Sequence, residues 1–295
     1  MVAQASSPAL VFLTGDLGFM ALEPLRDALG PRFINAGVAE QNMIGVAAGL
    51  ARAAWRPWAY SIAPFLYARP FEHIRNDVCL HSLPVVMVGN GGGYGYGVMG
   101  ATHHALEDYG ALLTLNSLRA YIPAFDGDIQ PVVERLMATP HPGYLRLGLD
   151  EAPRDYVVPP YSAWRQLVHG SGWTILTCGP LVGGLLAAIQ LLPGGVRPSL
   201  WLVSELPIDV IPDDFLADVE KSSRLLVVEE HVANGGVGEQ LARRLLLLGA
   251  APGQFVHRCA VGYPSGRYGS QRFHRQECGI DATSILTAMG LKTAT

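Results

Sequence analysis

The feature that most restricts this chain is the regular alternation of short aliphatic runs with longer segments rich in Leu, Ala and Gly. In the first half, Leu10–Leu13, Arg32–Ala36, Pro57–Ile62, Pro84–Val88, Ala120–Ala124 and Gly143–Arg146 read as strands. Short, continuously apolar runs separated by helix-length segments are what a parallel sheet covered on both faces requires. One helix is predicted over about Ala39–Trp55, and its Gly45, Ala47, Ala48 and Gly49 imply that another element lies close against it. A second is predicted over about Phe65–Leu80. The same alternation resumes with strands at Trp173–Cys178, Pro198–Val203, Arg224–Glu229 and Phe255–Val261, and helices at Leu181–Leu192 and Gly236–Leu248. Between the halves, the polar, Pro-rich stretch Asp150–Tyr161 reads as a linker. The expected fold is α/β in two domains, 1–155 and 156–295.

Composition removes several function classes. A net charge of −4 gives no basic footprint for nucleic acid. No run of about eighteen apolar residues exists to span a membrane, and the N-terminus lacks the pattern of a secretory signal. Cys79, Cys178, Cys259 and Cys278 are scattered, without the spacing of a zinc site, and suit unpaired thiols in a cytoplasmic protein.

Three motifs carry chemistry. Gly95-Tyr-Gly97-Val-Met-Gly100 fits G-x-G-x-x-G after a strand, the pattern of a dinucleotide loop, but its mid-domain position and the preceding Gly91, Gly92 and Gly93 fit that use poorly. Thr102-His103-His104-Ala-Leu-Glu107-Asp108 follows. His104 and Glu107 have the spacing to share a helical face as metal ligands, with no second pair to complete a site; the plainer reading is a helix capped by Thr102. Adjacent histidines at the mouth of a glycine loop also suit acid–base work. The third, Asn35-Ala-Gly-Val-Ala-Glu40-Gln41-Asn42, puts a glutamate in the first turn of a helix, which the helix dipole alone explains.

In order, FINAGVAEQNMIGVAAGLA, APFLYARPFEHIRND and GYGVMGATHHALED resemble the C-terminal half of transketolase-type thiamine-diphosphate enzymes, and WTILTCGPLVGGLLAA and LLVVEEHVANGGVGEQLARRLL resemble the small domain that follows. The resemblance covers essentially the whole chain. It implies a pyrimidine-binding domain followed by a smaller C-terminal domain. The G-D-G…Asn unit that such enzymes use to hold the diphosphate through Mg²⁺ is missing, since Gly127-Asp128 is followed by Ile129. The implied protein is one subunit of a split enzyme, partnered by a magnesium- and diphosphate-binding subunit in an α2β2 assembly.

By the same resemblance, Glu40 takes the role of the glutamate that hydrogen-bonds the cofactor pyrimidine, and Phe65 stacks on that ring. Phe71 lines the pocket, and Asp16 and Leu17 lie near the cleft. His103 contacts substrate hydroxyl and carbonyl groups, with His104 assisting. Arg146 matches a phosphate-binding arginine, and Arg69 joins the substrate site. Two departures bear on substrate. Met99 stands where the family usually has an aspartate four residues before the histidine, and the neutral run Asn90–Gly93 stands where a basic residue is usual. A lost charge-assisted contact costs about 1.5–3 kcal/mol of binding. Either backbone N–H groups of the glycine loop bind the anion instead, or the substrate is not an ordinary sugar phosphate. The implied reaction transfers a two-carbon ketol unit from a ketose to an aldehyde or other acceptor. The alternatives are a subunit of a decarboxylating enzyme (deoxyxylulose-phosphate synthase-like, or the β subunit of a 2-oxoacid dehydrogenase) and a non-catalytic interaction subunit.

Overall fold

In a computed structural model, which describes residues 1–291, twelve strands form two sheets. They are β1 Leu10–Thr14, β2 Phe33–Asn35, β3 Arg56–Ile62, β4 Val86–Asn90, β5 Arg119–Tyr121, β6 Gly143–Arg146, β7 Trp164–Val168, β8 Thr174–Cys178, β9 Ser199–Val203, β10 Glu205–Leu206, β11 Arg224–Val228 and β12 Gln254–Arg258. The first sheet has the order β10-β5-β6-β4-β3-β1-β2, and the second β12-β11-β8-β9-β7. All pairings are parallel except β10 with β5 and β7 with β9. Residues 292–295, the end of the expected second domain, lie outside the described residues.

Each strand run read from the sequence is present. The interior ones follow from coverage on both faces, β1 and β8 being buried at every position, whereas no residue of the edge strands β2 and β12 is buried. The antiparallel edge strands β7 and β10 carry no such run. Asp150–Tyr161 is without helix or strand but is not loose: Asp150 accepts from the Asp126 N–H at 2.9 Å, and Glu151 pairs with Arg275.

Two expectations fail and a third holds only in part. The helix expected over Phe65–Leu80 is broken into Ala63–Tyr67, Phe71–His73 and a π-helical stretch, Ile74–Cys79. Pro70 lies at the break; it offers no N–H to the helix ladder and disfavours helical geometry at the residue before it. No helix starts at Thr102: the next one, Asp108–Leu112, begins six residues later. The close packing expected of the Gly/Ala-rich helix Glu40–Arg52 holds for Ala47 and Ala48, buried against Val11, Leu13 and Ala59, but not for Gly45 and Gly49, where no other part of the described chain comes within 4 Å of where a Cβ would stand.

Strand order creates the site. From β1 the chain crosses one way to β2, through the helix Glu23–Leu29 packed with Leu10 and Phe12. It then returns past β1 to β3, through the helix Glu40–Arg52 packed with Val11 and Leu13 on the opposite face. Such a reversal leaves a crevice beyond the carboxyl ends of the strands.

Candidate active site

The segments that leave β1, β2 and β3 meet at this crevice. After β1 comes Gly15; a Cβ there would stand 3.6 Å from Ser61 Oγ and 3.8 Å from Glu40 Oε1. After β2, a turn with Gly37 at φ +72° leads into Glu40, the first residue of its helix. A carboxylate suits that place, because the amino end of a helix carries partial positive charge. Glu40 is only 4% exposed, and Ser61 Oγ lies 3.5 Å from its Oε1.

Beyond β3, Phe65 and Arg69 complete the pocket. Nη1 of Arg69 donates to both carboxylate oxygens of Glu40 at 2.9 Å. The same guanidinium lies over the Phe65 ring, 3.8 Å from Cζ to centroid. His103 meets Phe65 edge-on at 5.1 Å, pairs through Nδ1 with Thr102 Oγ1 at 2.9 Å, and has the Tyr96 ring 5.9 Å away. Glu40, Arg69, Phe65, His103 and Tyr96 therefore form one continuous set, with the exposed Val98 and Met99 on the adjoining loop. Neither Ser61 nor Tyr96 stands out in the sequence as a site residue. Tyr96 could have been found as an aromatic interrupting the glycine loop.

Asp16 and Leu17 lie in the turn after Gly15. Asp16 is exposed with φ +52° and accepts from Asn35 Nδ2 at 2.9 Å; the Leu17 carbonyl accepts from Thr14 Oγ1. Phe71 packs against the main core.

The structure does not bring two of the expected residues into this pocket. His104 is buried with both ring nitrogens engaged, Nδ1 with the Tyr263 hydroxyl at 2.8 Å and Nε2 with the Gly97 carbonyl at 2.9 Å. Burial pushes its pKa down. It fastens the loop rather than facing substrate. Arg146 is 6% exposed; Nε donates to Asp108 at 2.8 Å, and Nη2 donates to the carbonyls of Ala105 and Glu230. Its ionic partner is internal, so the expected phosphate anchor is an interior brace. Arg69 likewise spends its charge on Glu40 rather than standing free for substrate.

Most N–H groups of the glycine loop are already engaged. The N–H groups of Gly92, Gly93, Gly95 and Gly97 all donate to backbone carbonyls, and that of Tyr94 to Glu230 at 2.6 Å. Two of its glycines are required by close packing at positive φ: a Cβ on Gly93 would meet the Glu230 side chain at 2.6 Å, and one on Gly100 the Tyr268 ring at 3.0 Å. Past Gly97–Met99, a single 3-10 turn, no helix follows that could receive a pyrophosphate, which removes the dinucleotide reading. His104 and Glu107 do not share a helix, and Glu107 instead accepts from the Tyr67 hydroxyl at 3.2 Å. Among the described residues, no three His, Cys, Asp or Glu side chains converge as metal ligands, and no helix is long and apolar enough to cross a membrane.

Comparison with known proteins gives the chain's relatives. The family model for the transketolase pyrimidine-binding domain matches residues 5–153. The chain is 28% identical over 243 residues to an apulose-4-phosphate transketolase subunit of Phocaeicola vulgatus, covering 80% of this chain and 77% of that protein. It is 29% identical to the protein of the same name from Actinobacillus succinogenes, covering 86% and 83%. It is also 30% identical to 1-deoxy-D-xylulose-5-phosphate synthase of Myxococcus xanthus, covering 97% of this chain but 49% of that enzyme. Among solved structures, a split-gene transketolase described as an inactive beta4 tetramer superposes with a TM-score of 0.81 at 25% identity, covering 98% of this chain and 93% of that one.

Proposed function

We propose, from the premise that this chain belongs to the transketolase pyrimidine-binding family, that it supplies the pyrimidine end of a thiamine diphosphate site shared with a second subunit. It is a transketolase-type enzyme subunit, related in extent to the separately encoded transketolase subunits rather than to the full-length synthases. The same proposal divides it into a pyrimidine-binding domain, 1–155, and a C-terminal domain, 156–295. The magnesium and diphosphate ligands are assigned to the partner, the assembly is α2β2, and the location is cytoplasmic.

One observation carries the reading: a buried glutamate and a phenylalanine ring are bridged by one planar group that hydrogen-bonds the carboxylate and stacks on the ring. That group is the Arg69 guanidinium, so the donor set fits an aminopyrimidine. When bound, thiamine diphosphate supplies a nucleophilic carbon for adding to a ketose carbonyl and carrying two of its carbons to an aldehyde. Glu40 then holds the hydrogen bond at the pyrimidine ring nitrogen, Phe65 orients the ring by stacking, and the nearby Asp16–Leu17 turn bounds the cleft. His103, half-buried beside Phe65, is placed to exchange protons with substrate hydroxyls. With Arg146 internal, most loop N–H groups engaged and Met99 exposed, we assign the donor to ketoses that do not depend on those two devices for a phosphate.

The test is reconstitution with a partner carrying the G-D-G…Asn unit. Thiamine-dependent ketose cleavage without CO2 release from pyruvate is the expected result, with apulose-4-phosphate, named in two relatives, a first compound to try beside unphosphorylated ketoses. Glu40→Gln should lower turnover by about 10²-fold or more. Unchanged turnover would overturn the catalytic role.

A further inference from the structure

The Arg69 guanidinium stands where the ring of the proposed cofactor has to bind. A planar nitrogen heterocycle in that slot needs a stacking face and a carboxylate, and Arg69 takes both: the Phe65 ring at 3.8 Å and the two oxygens of Glu40 at 2.9 Å. We propose that Arg69 is a resident plug of the pyrimidine slot, holding it closed in this chain alone and leaving only when the cofactor displaces it. The inference rests on the thiamine reading above.

Three features suit a plug that can be withdrawn. The side chain is 43% exposed while Glu40 is 4% exposed, so the departing charge regains water at once. The backbone of Arg69 is tied down, because its carbonyl accepts from Gln41 Nε2 at 3.2 Å, on the helix that carries Glu40. Displacement therefore requires only a side-chain swing. Finally, the helical run ends at Tyr67, Arg69 and Pro70 lie in the turn that follows, and the helix resumes only at Phe71. An unbroken helix across this point would set Arg69 by helical periodicity instead of leaving it turned toward Glu40.

The experiment is titration of thiamine diphosphate with Mg²⁺ into the isolated full chain, followed by calorimetry, for wild type and Arg69→Met. Methionine keeps an unbranched stem over Phe65 and removes the cation. The variant is expected to bind at least tenfold more tightly, about 1.4 kcal/mol. Should Arg69→Met lose its thermal transition, Arg69→Lys serves instead: a point charge without a planar face is expected to tighten binding by a smaller factor. Equal or weaker binding in the folded variant overturns the plug. Absence of saturable binding by either chain at millimolar ligand overturns it as well, because an unplugged slot should fill. The thiamine reading is judged separately, by the cofactor dependence of the reconstituted pair, so a failure of the plug is distinguishable from a failure of that reading.

Discussion

At the residue scale, the same side-chain chemistry serves opposite purposes in this protein, and burial of the arginine decides which, since both carboxylate partners are buried. Arg69 and Arg146 both pair with carboxylates, but Arg69 is 43% exposed and Arg146 only 6%. Arg146 is enclosed with Asp108, which also accepts from Tyr144 at 2.7 Å. Burial alone would lower the Arg146 pKa, but the charge and hydrogen bond of Asp108 together with the Tyr109 and Tyr144 hydroxyls outweigh it and push the value further up. Removing one member of such a pair leaves the other buried and uncompensated, which costs about 3–5 kcal/mol. Arg146→Met is therefore expected to cut folding stability by that amount in urea melts. A well-folded Arg146→Met with a raised KM alone would restore the substrate-anchor role. The motif match at Arg146 was legible in the sequence; its capture by Asp108, 38 residues earlier, was not.

At the element scale, the helix Glu40–Arg52 is the clearest case of composition read correctly and its cause left open. Ala47 and Ala48 lie on the buried face, packed in the main core, yet among the described residues nothing rests on Gly45 or Gly49, on the other side of the helix. A glycine in an exposed helix interior costs about 1 kcal/mol relative to alanine. Gly45→Ala should accordingly raise the stability of the isolated chain by up to about that amount, read as an upward shift in Tm. A drop would mean that the glycine serves packing within the chain. The neighbouring segment shows the limit of periodicity: Phe65–Leu80 looks helical throughout, but Pro70 divides it, and the division leaves Phe65 and Arg69 on the cleft.

At the scale of the whole molecule, the two sheets are joined through buried polar groups. β10, from the second half, completes the edge of the first sheet. Asp128, at the start of the helix Ile129–Ala138, forms a buried pair with Arg165 of β7 at 2.6 Å. His104 bonds Tyr263, and His231 stacks on Tyr109 at 3.8 Å while accepting from the Gly110 N–H. Burial holds the pKa of both His104 and His231 below the ordinary 6.5. The unfolded chain takes up protons at these positions below about pH 6.5 while the folded chain does not, so stability falls as pH drops through that range. Glu229 adds a second loss. Burial opposes its charge, but the hydrogen bond from His257 and other contacts outweigh burial and keep its pKa below the usual 4.5. Its contribution is complete above about pH 4.5 and fades as pH falls further. Urea midpoints at pH 7.5, 6 and 5 should decline in order, and a flat or rising series would contradict the assignment.

The sequence by itself determined the α/β class and the interior strands, because strands covered on both faces must be apolar throughout, and it pointed to Glu40, Phe65 and His103, which lie in segments with a specific order. It could not show which charges are spent inside the protein, since Arg69 meets Glu40 across 29 residues and His104 meets Tyr263 across 159. Only the tertiary structure decided that Arg146 and His104 brace the interior, that the glycine loop has most of its N–H groups engaged, and that Arg69 fills the slot beside Glu40. The physical reason is that hydrophobic pattern is written locally along the chain, whereas the pairing of polar groups is settled by which distant segments the sheets bring together.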